Sequence, residues 1–291
     1  FTRPVKEDDR VRQIEGLNAQ TGPVFLVYRA LPVVDGLLER ICRGAAEVDV
    51  VAQRDGVRHE IWPITGARDI DTLTAAFDAM QAIYVADGHH RSAAASRVAA
   101  GRRAGHAGHD AEAGYNYFLS VIFPHDQMQI LDYNRVVRDL NGHSPDTLLG
   151  QVGAVFDVAL SDGPVRPARS GEYGMYLAGS WYRLTLHPER IPQDDPVRRL
   201  DVSLLQDNLI APLLGIDDPR RDDRIDFVGG IRGLDALSSR VDSGDWAVAF
   251  SLYPTTMTAL MDVADAGEVM PPKSTWFEPK LADGLVSHVL D

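Results

Sequence analysis

The stretch Ala82-Ile83-Tyr84-Val85-Ala86-Asp87-Gly88-His89-His90-Arg91-Ser92-Ala93 decides how this chain is read. Ile83-Tyr84-Val85-Ala86 is a short apolar run with strand character. Ser92 to Ala100 is Ala-rich and reads as a helix ended by Gly101. Between the two, an Asp-Gly pair turns the chain, and two His and an Arg come next. The first turn of a helix has N–H groups without intrahelical partners and lies at the positive end of the dipole. Such ends bind phosphate readily. Gly88 lets the backbone turn sharply and approach a ligand. Arg91 can grip phosphate oxygens in a bidentate manner. His89 and His90 can donate hydrogen bonds or move protons near neutral pH. Asp87 would repel a phosphate unless a cation lies between them, and Mg²⁺ is the simplest bridge. A plainer reading also fits, in which Asp87 only caps the helix and the His pair decorates the surface. Spacing alone leaves both open. A metal site made of His89 and His90 alone is disfavoured, because adjacent helix positions point in different directions. His106 and His109 fall in a segment expected to be an exposed loop, with metal binding as the lesser alternative.

Upstream, Val5 to Leu17 reads as a charged, weakly amphipathic helix, with Glu7 and Arg10 spaced to pair. Val24 to Tyr28 reads as a strand. Val34, Leu37, Leu38 and Ile41 lie at helical spacing, and Cys42 beside them is expected to be a small core filler. Val48 to Gln53 and Val57 to Ile61 form a hairpin through Arg54-Asp55-Gly56. Asp71 is expected to cap a helix carrying Leu73, Phe77 and Met80. Downstream, Tyr117 to Phe123 and Met128 to Tyr133 read as a second hairpin. Asn141-Gly142-His143-Ser144-Pro145 clusters turn formers, so the chain is expected to divide into residues 1–143 and 144–291. The second portion reads as a helix (Asp146 to Gly150), a strand (Val155 to Leu160) and a hairpin (Tyr173 to Ala178, Trp181 to Leu186). A helix from Asp201 to Leu214 is next, with Pro212 limiting its last turn. A strand (Ile225 to Val228), a helix (Leu234 to Val241), a strand (Trp246 to Leu252) and a helix (Thr256 to Asp265) complete it. Strands and helices mix without strict βαβ alternation, which predicts an α+β fold.

A second candidate stretch is Met270-Pro271-Pro272-Lys273-Ser274-Thr275-Trp276-Phe277-Glu278-Pro279-Lys280. Two prolines fix an extended entry. Lys273, Ser274 and Thr275 then offer one cation and two hydroxyls, which suits a carboxylate or phosphate. The competing reading is a packed segment anchored by Trp276 and Phe277.

Composition excludes several classes. The 291 residues are 45% hydrophobic and 24% charged, too apolar for disorder and enough for about two domains. One Cys rules out a disulfide framework. The net charge of −13, without a basic stripe, argues against nucleic acid and anionic membrane as partners. No apolar stretch approaches the roughly 20 residues that span a bilayer, and with no secretory pattern the cytoplasm is the expected compartment. There is no GxxxxGK[ST] loop and no GxGxxG opening a helix, so P-loop, protein-kinase and Rossmann readings lack their carriers. Phe1 rather than Met opens the sequence, so the chain is expected to be a piece of something longer.

Together, Asp87-Gly88-His89-His90-Arg91, Tyr133-Asn134-Arg135-Val136-Val137, Asp217-Asp218-Pro219-Arg220, Phe227-Val228-Gly229-Gly230 and Met270-Pro271-Pro272-Lys273-Ser274-Thr275 resemble the family catalogued as domain of unknown function 1015. The resemblance runs over nearly the whole chain. That family is similar to the ADP-dependent free L-serine kinases of archaea and their ATP-dependent bacterial relatives, and to the wider ParB/sulfiredoxin-like superfamily. The resemblance implies a ParB/sulfiredoxin-like nucleotide-binding core in residues 1–143. It implies a second α+β portion after that core, whose late Pro-Lys-Ser-Thr loop returns to the site. It implies a phosphotransferase that makes O-phospho-L-serine from serine and ATP or ADP with Mg²⁺. Asp87 and His90 would then be catalytic, with Asp87 assisting the serine hydroxyl or binding Mg²⁺. Gly88, His89, His90 and Arg91 would hold phosphates, and Lys273, Ser274 and Thr275 would line the amino-acid side. One departure stands out. The serine kinases take their general base from a His-Glu dipeptide, expected just before the Thr2-Arg3-Pro4 segment and so not within this sequence. The segment Asp146 to Ser243 also exceeds what a minimal serine kinase needs.

Two functions stand as alternatives. One is a nucleotide-dependent small-molecule kinase acting on free serine. The other is a ParB-like nucleotide-binding switch, or slow NTPase, that works through a partner without transfer to an amino acid. A sulfiredoxin-like reductase is disfavoured because the Asp87 to Arg91 turn holds no Cys.

Overall fold

A computed structural model describes residues 4–53, 56–105, 110–278 and 281–291. It divides into two compact units, Phe1–Gln127 with Leu281–Asp291, and Met128–Lys280. The expected hairpin turn at Arg54-Asp55, and His106 and His109, lie outside the described residues.

The first unit opens with helix α1 (Pro4–Leu17) and strands β1 (Ala19–Gln20) and β2 (Val24–Tyr28). Helix α2 (Pro32–Cys42), the hairpin β3 (Val48–Val51) and β4 (Arg58–Ile61), and helix α3 (Ala67–Asp78) come after them. Then come β5 (Tyr84–Asp87), α4 (His89–Gly105) and β6 (Ser120–Pro124). Strand β2 is the centre of a three-stranded sheet, antiparallel to β5 and parallel to β6. Every residue of β2 is buried, because both of its edges are paired and its faces are covered. In α2 the buried stripe is Val34 and Leu37, each contributing about 1.5–3 kcal/mol by leaving water.

The second unit carries β7 (Gln129–Leu131), β8 (Tyr133–Val137), α5 (Pro145–Val152), β9 (Phe156–Ser161), β10 (Glu172–Leu177) and β11 (Ser180–Leu186). Helix α6 (Asp201–Leu205) runs through a π turn (Gln206–Ile210) into α7 (Ala211–Leu214). Strand β12 (Ile225–Gly229), α8 (Asp235–Asp242), β13 (Val248–Leu252), α9 (Met257–Asp265) and β14 (Trp276–Glu278) complete it. Six strands form one antiparallel sheet in the order β12-β8-β13-β10-β11-β9. Successive residues point to opposite faces. Val137, Met175 and Leu184 therefore pack with Leu148 of α5, Leu204 of α6, Leu214 of α7 and Val263 of α9. Val136, Tyr176 and Ala249 pack with Leu237 of α8 on the other side. The last strand, β15 (His288–Val289), belongs to the first unit, where it pairs with β1. Among the described residues no helix is long and apolar enough to cross a membrane.

The architecture is α+β, as the mixed pattern predicts. Several local expectations are corrected. The units part at Gln127/Met128 rather than at residues 143/144, because β8 is an interior strand of the second unit's sheet. The second hairpin does not form: β6 takes the free edge of β2, and β7 pairs with β14. Helix α3 starts at Ala67, which leaves Asp71 inside it, and Asp69 rather than Asp71 sits in its first turn. Helix α4 begins at His89 and runs through Gly101, whose Cα faces open space. Packing on its Ala94–Val98 stripe outweighs the roughly 1 kcal/mol that a mid-helix Gly costs. Cys42 is exposed at the end of α2, off the buried stripe. Glu7 pairs with Arg97 at 2.9 Å, while Arg10 donates to Gln13. The helix begun at Asp201 continues through Pro212, and a π turn lies just before it. Pro212 has no N–H to return to the preceding turn, and a wider turn accommodates that loss.

Candidate functional site

In the first unit the strand–turn–helix stretch is built on β2. Phe25 lies opposite Asp87 and Leu26 opposite Val85, so the register shifts by one residue just before the turn. Such an irregularity bends the strand and re-aims the chain that leaves it. Gly88 then adopts φ +97°, a left-handed conformation that favours glycine. A Cβ there would lie 3.0 Å from Nη2 of Arg91, 3.1 Å from its Nε and 3.2 Å from Cα of Val24. The missing side chain thus makes room for the Arg91 guanidinium to fold back over the start of its own helix.

The Gly88 carbonyl accepts the Ser92 N–H at 3.0 Å, which makes Gly88 the cap residue of α4. Asp87 Oδ1 accepts from the Gly88 N–H at 2.7 Å. Asp87 is therefore not the side-chain cap of the first turn, and its exposed carboxylate stands in front of it. Two side-chain atoms at this end, Nδ1 of His90 and Nε of Arg91, are buried and have no hydrogen-bond partner among the described residues. A buried polar atom left unpaired costs about 1–3 kcal/mol, so both are poised for a hydrogen-bond partner, Arg91 Nε as a donor. Loss of hydration pushes the His89 imidazole below its ordinary range; His90 adds to that and Asp87 opposes it.

Arg91 also lines a small cleft of about 30 Å³ with Arg10, Gln13, Thr21, Gly22 and Asp283. A Cβ on Gly22 would lie 3.0 Å from Oδ1 of Asp283 and 3.3 Å from Cδ of Arg91, so Gly22 lets the two approach. The terminal segment is held there by Gly284 N–H to the Thr21 carbonyl (2.8 Å) and by Leu290 N–H to the Asn18 carbonyl (3.1 Å). Neither Arg10 nor Asp283 was legible as a site residue. The charges of α1 suggest only a solvated face, and no pattern in residues 281–291 announces their return to α1.

The second unit gathers three motifs that lie far apart in sequence. Tyr133 of β8 is paired with Gly229 of β12, and Leu131 of β7 with Trp276 of β14. The Trp276 ring covers Gly229, where a Cβ would come within 2.6 Å of it, and meets Tyr133 edge-on at 5.4 Å. Lys273 is exposed, with φ +57° and Nζ 5.4 Å from the centre of the Tyr133 ring. Ser274 is buried, and its hydroxyl donates to the Pro271 carbonyl. Its own carbonyl accepts from Thr255 Oγ1 at 2.9 Å. The Ser274 hydroxyl is thus committed to shaping the loop, while Lys273 is exposed and Thr275 half-buried. Arg135 anchors this end: it is buried, stacked 4.6 Å from the Phe227 ring centre, and bonded to the Tyr133 and Lys273 carbonyls.

Among the described residues no three His, Cys, Asp or Glu side chains gather as a metal cage. Mg²⁺ needs no such cage when one carboxylate, phosphate oxygens and water complete its shell, and the exposed Asp87 fits that mode.

The model of a family described as "Protein of unknown function (DUF1015)" matches residues 1–203. No curated protein matches the chain. Among solved structures, a conserved hypothetical protein from Pyrococcus furiosus is 13% identical, with 97% of this chain and 87% of that one covered and a TM-score of 0.39. A mutant free serine kinase in complex with ADP is 13% identical over 95% of this chain and 81% of its own, with a TM-score of 0.41. C-terminally truncated SbnI from Staphylococcus aureus is 11% identical over 97% and 80%, with a TM-score of 0.40. Likenesses this loose carry no statement about the chemistry of the present chain.

Proposed function

The chain belongs to the DUF1015 family, and from that premise we propose that it is a nucleotide-dependent small-molecule kinase whose acceptor is the hydroxyl of free L-serine. The observation that carries this reading is the start of α4, where buried His90 Nδ1 and Arg91 Nε lie in the first turn with no hydrogen-bond partner among the described residues. Phosphoryl transfer asks mainly for positioning and charge neutralisation. In this reading Gly88, His89, His90 and Arg91 hold the phosphates of ATP or ADP. Asp87 holds Mg²⁺ or draws the proton from the serine hydroxyl, and His90 is the second group near the reacting atoms. When bound, Mg²⁺ would supply the counter-charge that separates Asp87 from the phosphates. In the second unit, Lys273 and Thr275 are the groups assigned to the serine, with Ser274 fixing their loop. A serine carboxylate suits the exposed Lys273 ammonium, which lies over the Tyr133 ring.

The direct test is incubation with serine, Mg²⁺ and either ATP or ADP, with O-phosphoserine read by mass spectrometry. Absence of product with both nucleotides removes the serine kinase. Tight nucleotide binding without transfer would favour the ParB-like switch.

A further inference from the structure

We infer that Arg135 is a positioning residue for Lys273: its buried guanidinium exists to hold the Lys273 backbone, and through it the ammonium, in one orientation. The inference deepens the kinase reading, since it concerns the group assigned there to the acceptor.

A buried Arg is costly and is normally matched by a carboxylate. Arg135 is 5% exposed, and among the described residues no carboxylate acts on its guanidinium. Desolvation pushes its guanidinium down to about 9, against which only Tyr133 pulls upward. It remains a cation at neutral pH. What it has instead of an anion is two carbonyls and an aromatic face. One Nη donates to the Tyr133 carbonyl and the other to the Lys273 carbonyl at 3.1 Å, with the Phe227 ring 4.6 Å away. A planar fork can satisfy two carbonyls and stack at once, which an ammonium cannot.

The carbonyl it reaches belongs to a strained residue. Lys273 has φ +57°, a region that a side chain with a long stem rarely occupies and that must be held by its surroundings. Its neighbours hold it too: Pro271 fixes the entry, and the Ser274 carbonyl is tied to Thr255. The outcome is an exposed ammonium lying over the Tyr133 ring, which meets Asp226 only as a through-space influence. Tyr133 and Arg135 stand on the same face of β8, two residues apart. One strand therefore supplies both the seat for the ammonium and the clamp for its backbone. The alternative, that Arg135 merely fills the core, does not account for a charge where an apolar side chain would pack at lower cost.

The test compares Arg135→Met and Arg135→Lys in the full chain. Lys273 acetylation by acetic anhydride is measured by peptide mapping as a ratio to Lys6. Leu148→Ala, which creates a cavity under the sheet far from the loop in sequence, controls for destabilisation alone. At least a threefold change in the ratio is expected for Arg135→Met and a smaller one for Arg135→Lys, with none for Leu148→Ala. An unchanged ratio in folded Arg135→Met, or an equal change in Leu148→Ala, overturns the inference. Should Arg135→Met not fold, Arg135→Lys decides alone, and an unchanged ratio overturns it. Failure of both to fold would assign Arg135 to the core and also overturn it. Where phosphoserine is formed, Arg135→Lys is expected to raise KM for serine about tenfold with kcat within twofold. The labelling ratio needs no substrate, so it separates failure of this inference from failure of the kinase reading.

Discussion

Nη2 of Arg135 donates to the carbonyl of Lys273 at 3.1 Å, joining residues that stand 138 positions apart. That bond ties strand β8 to the loop before β14 and fixes one end of the second unit's sheet. The first unit shows the same economy, with the Arg91 guanidinium folded over Gly88. In both, a glycine or a strained backbone gives a cation its place.

Gly88→Ala should disturb both the fold and the ligand site. The backbone at φ +97° disfavours any Cβ, and this one would press on Arg91 and on Cα of Val24. A loss of about 1–3 kcal/mol is expected, with nucleotide affinity falling as Arg91 is displaced. Thermal unfolding and calorimetric titration of the same sample check both.

Arg91→Ala should leave the fold intact and weaken nucleotide binding about tenfold or more, the scale of a charge-assisted hydrogen bond at about 1.5–3 kcal/mol. Unchanged affinity by calorimetry would remove Arg91 from the phosphate site.

Gly229→Ala should collapse the packing of Trp276. The new methyl would come within 2.6 Å of the indole, which must move away from Tyr133. Overpacking of this kind costs about 1–3 kcal/mol. A denaturant midpoint, with the change in indole emission, reads it; retention of both would contradict the geometry.

Asp201 gives a pH dependence with a definite sign. Burial pushes its carboxyl up to about 6, although the Gly171 N–H donates to it at 2.7 Å. The folded value is raised above the unfolded one, so the folded state holds the proton more tightly. The contribution is complete below about pH 4, declines as pH rises through about 6, and is lost above it. Asp201→Asn keeps an acceptor for Gly171 and removes the charge. It should stabilise the protein by about 1–3 kcal/mol near neutral pH and by little near pH 4. Denaturation curves at the two pH values check this, and equal effects at both would contradict it.

The local elements of this chain were largely legible. Periodicity located β2 from Val24 to Tyr28, the hairpin of β10 and β11, and α9 behind its Thr256 cap. The errors came where a local signal had a long-range competitor. Met128 to Tyr133 has the alternation of a hairpin strand, yet its partner is β14, near the other end of the chain. Asp71 is a good cap residue, but the chain enters α3 four residues earlier, where Asp69 meets Arg40 at 2.7 Å. At the site, Asp87 to Arg91 could be read because the meaning of a strand, a glycine turn and a helix start is local. Arg10 and Asp283 could not, since their role comes from what lies beside them.

By itself, then, the sequence determined most of the elements and the strand–glycine–helix turn at Asp87 to Arg91, because side-chain periodicity and backbone preference act over a few residues. Only the tertiary structure decided which strand edges meet, that Ser274 turns its hydroxyl inward, and that a buried Arg135 grips the Lys273 carbonyl. Those outcomes depend on which surfaces can exclude water together across the whole unit, and that competition has no local signature.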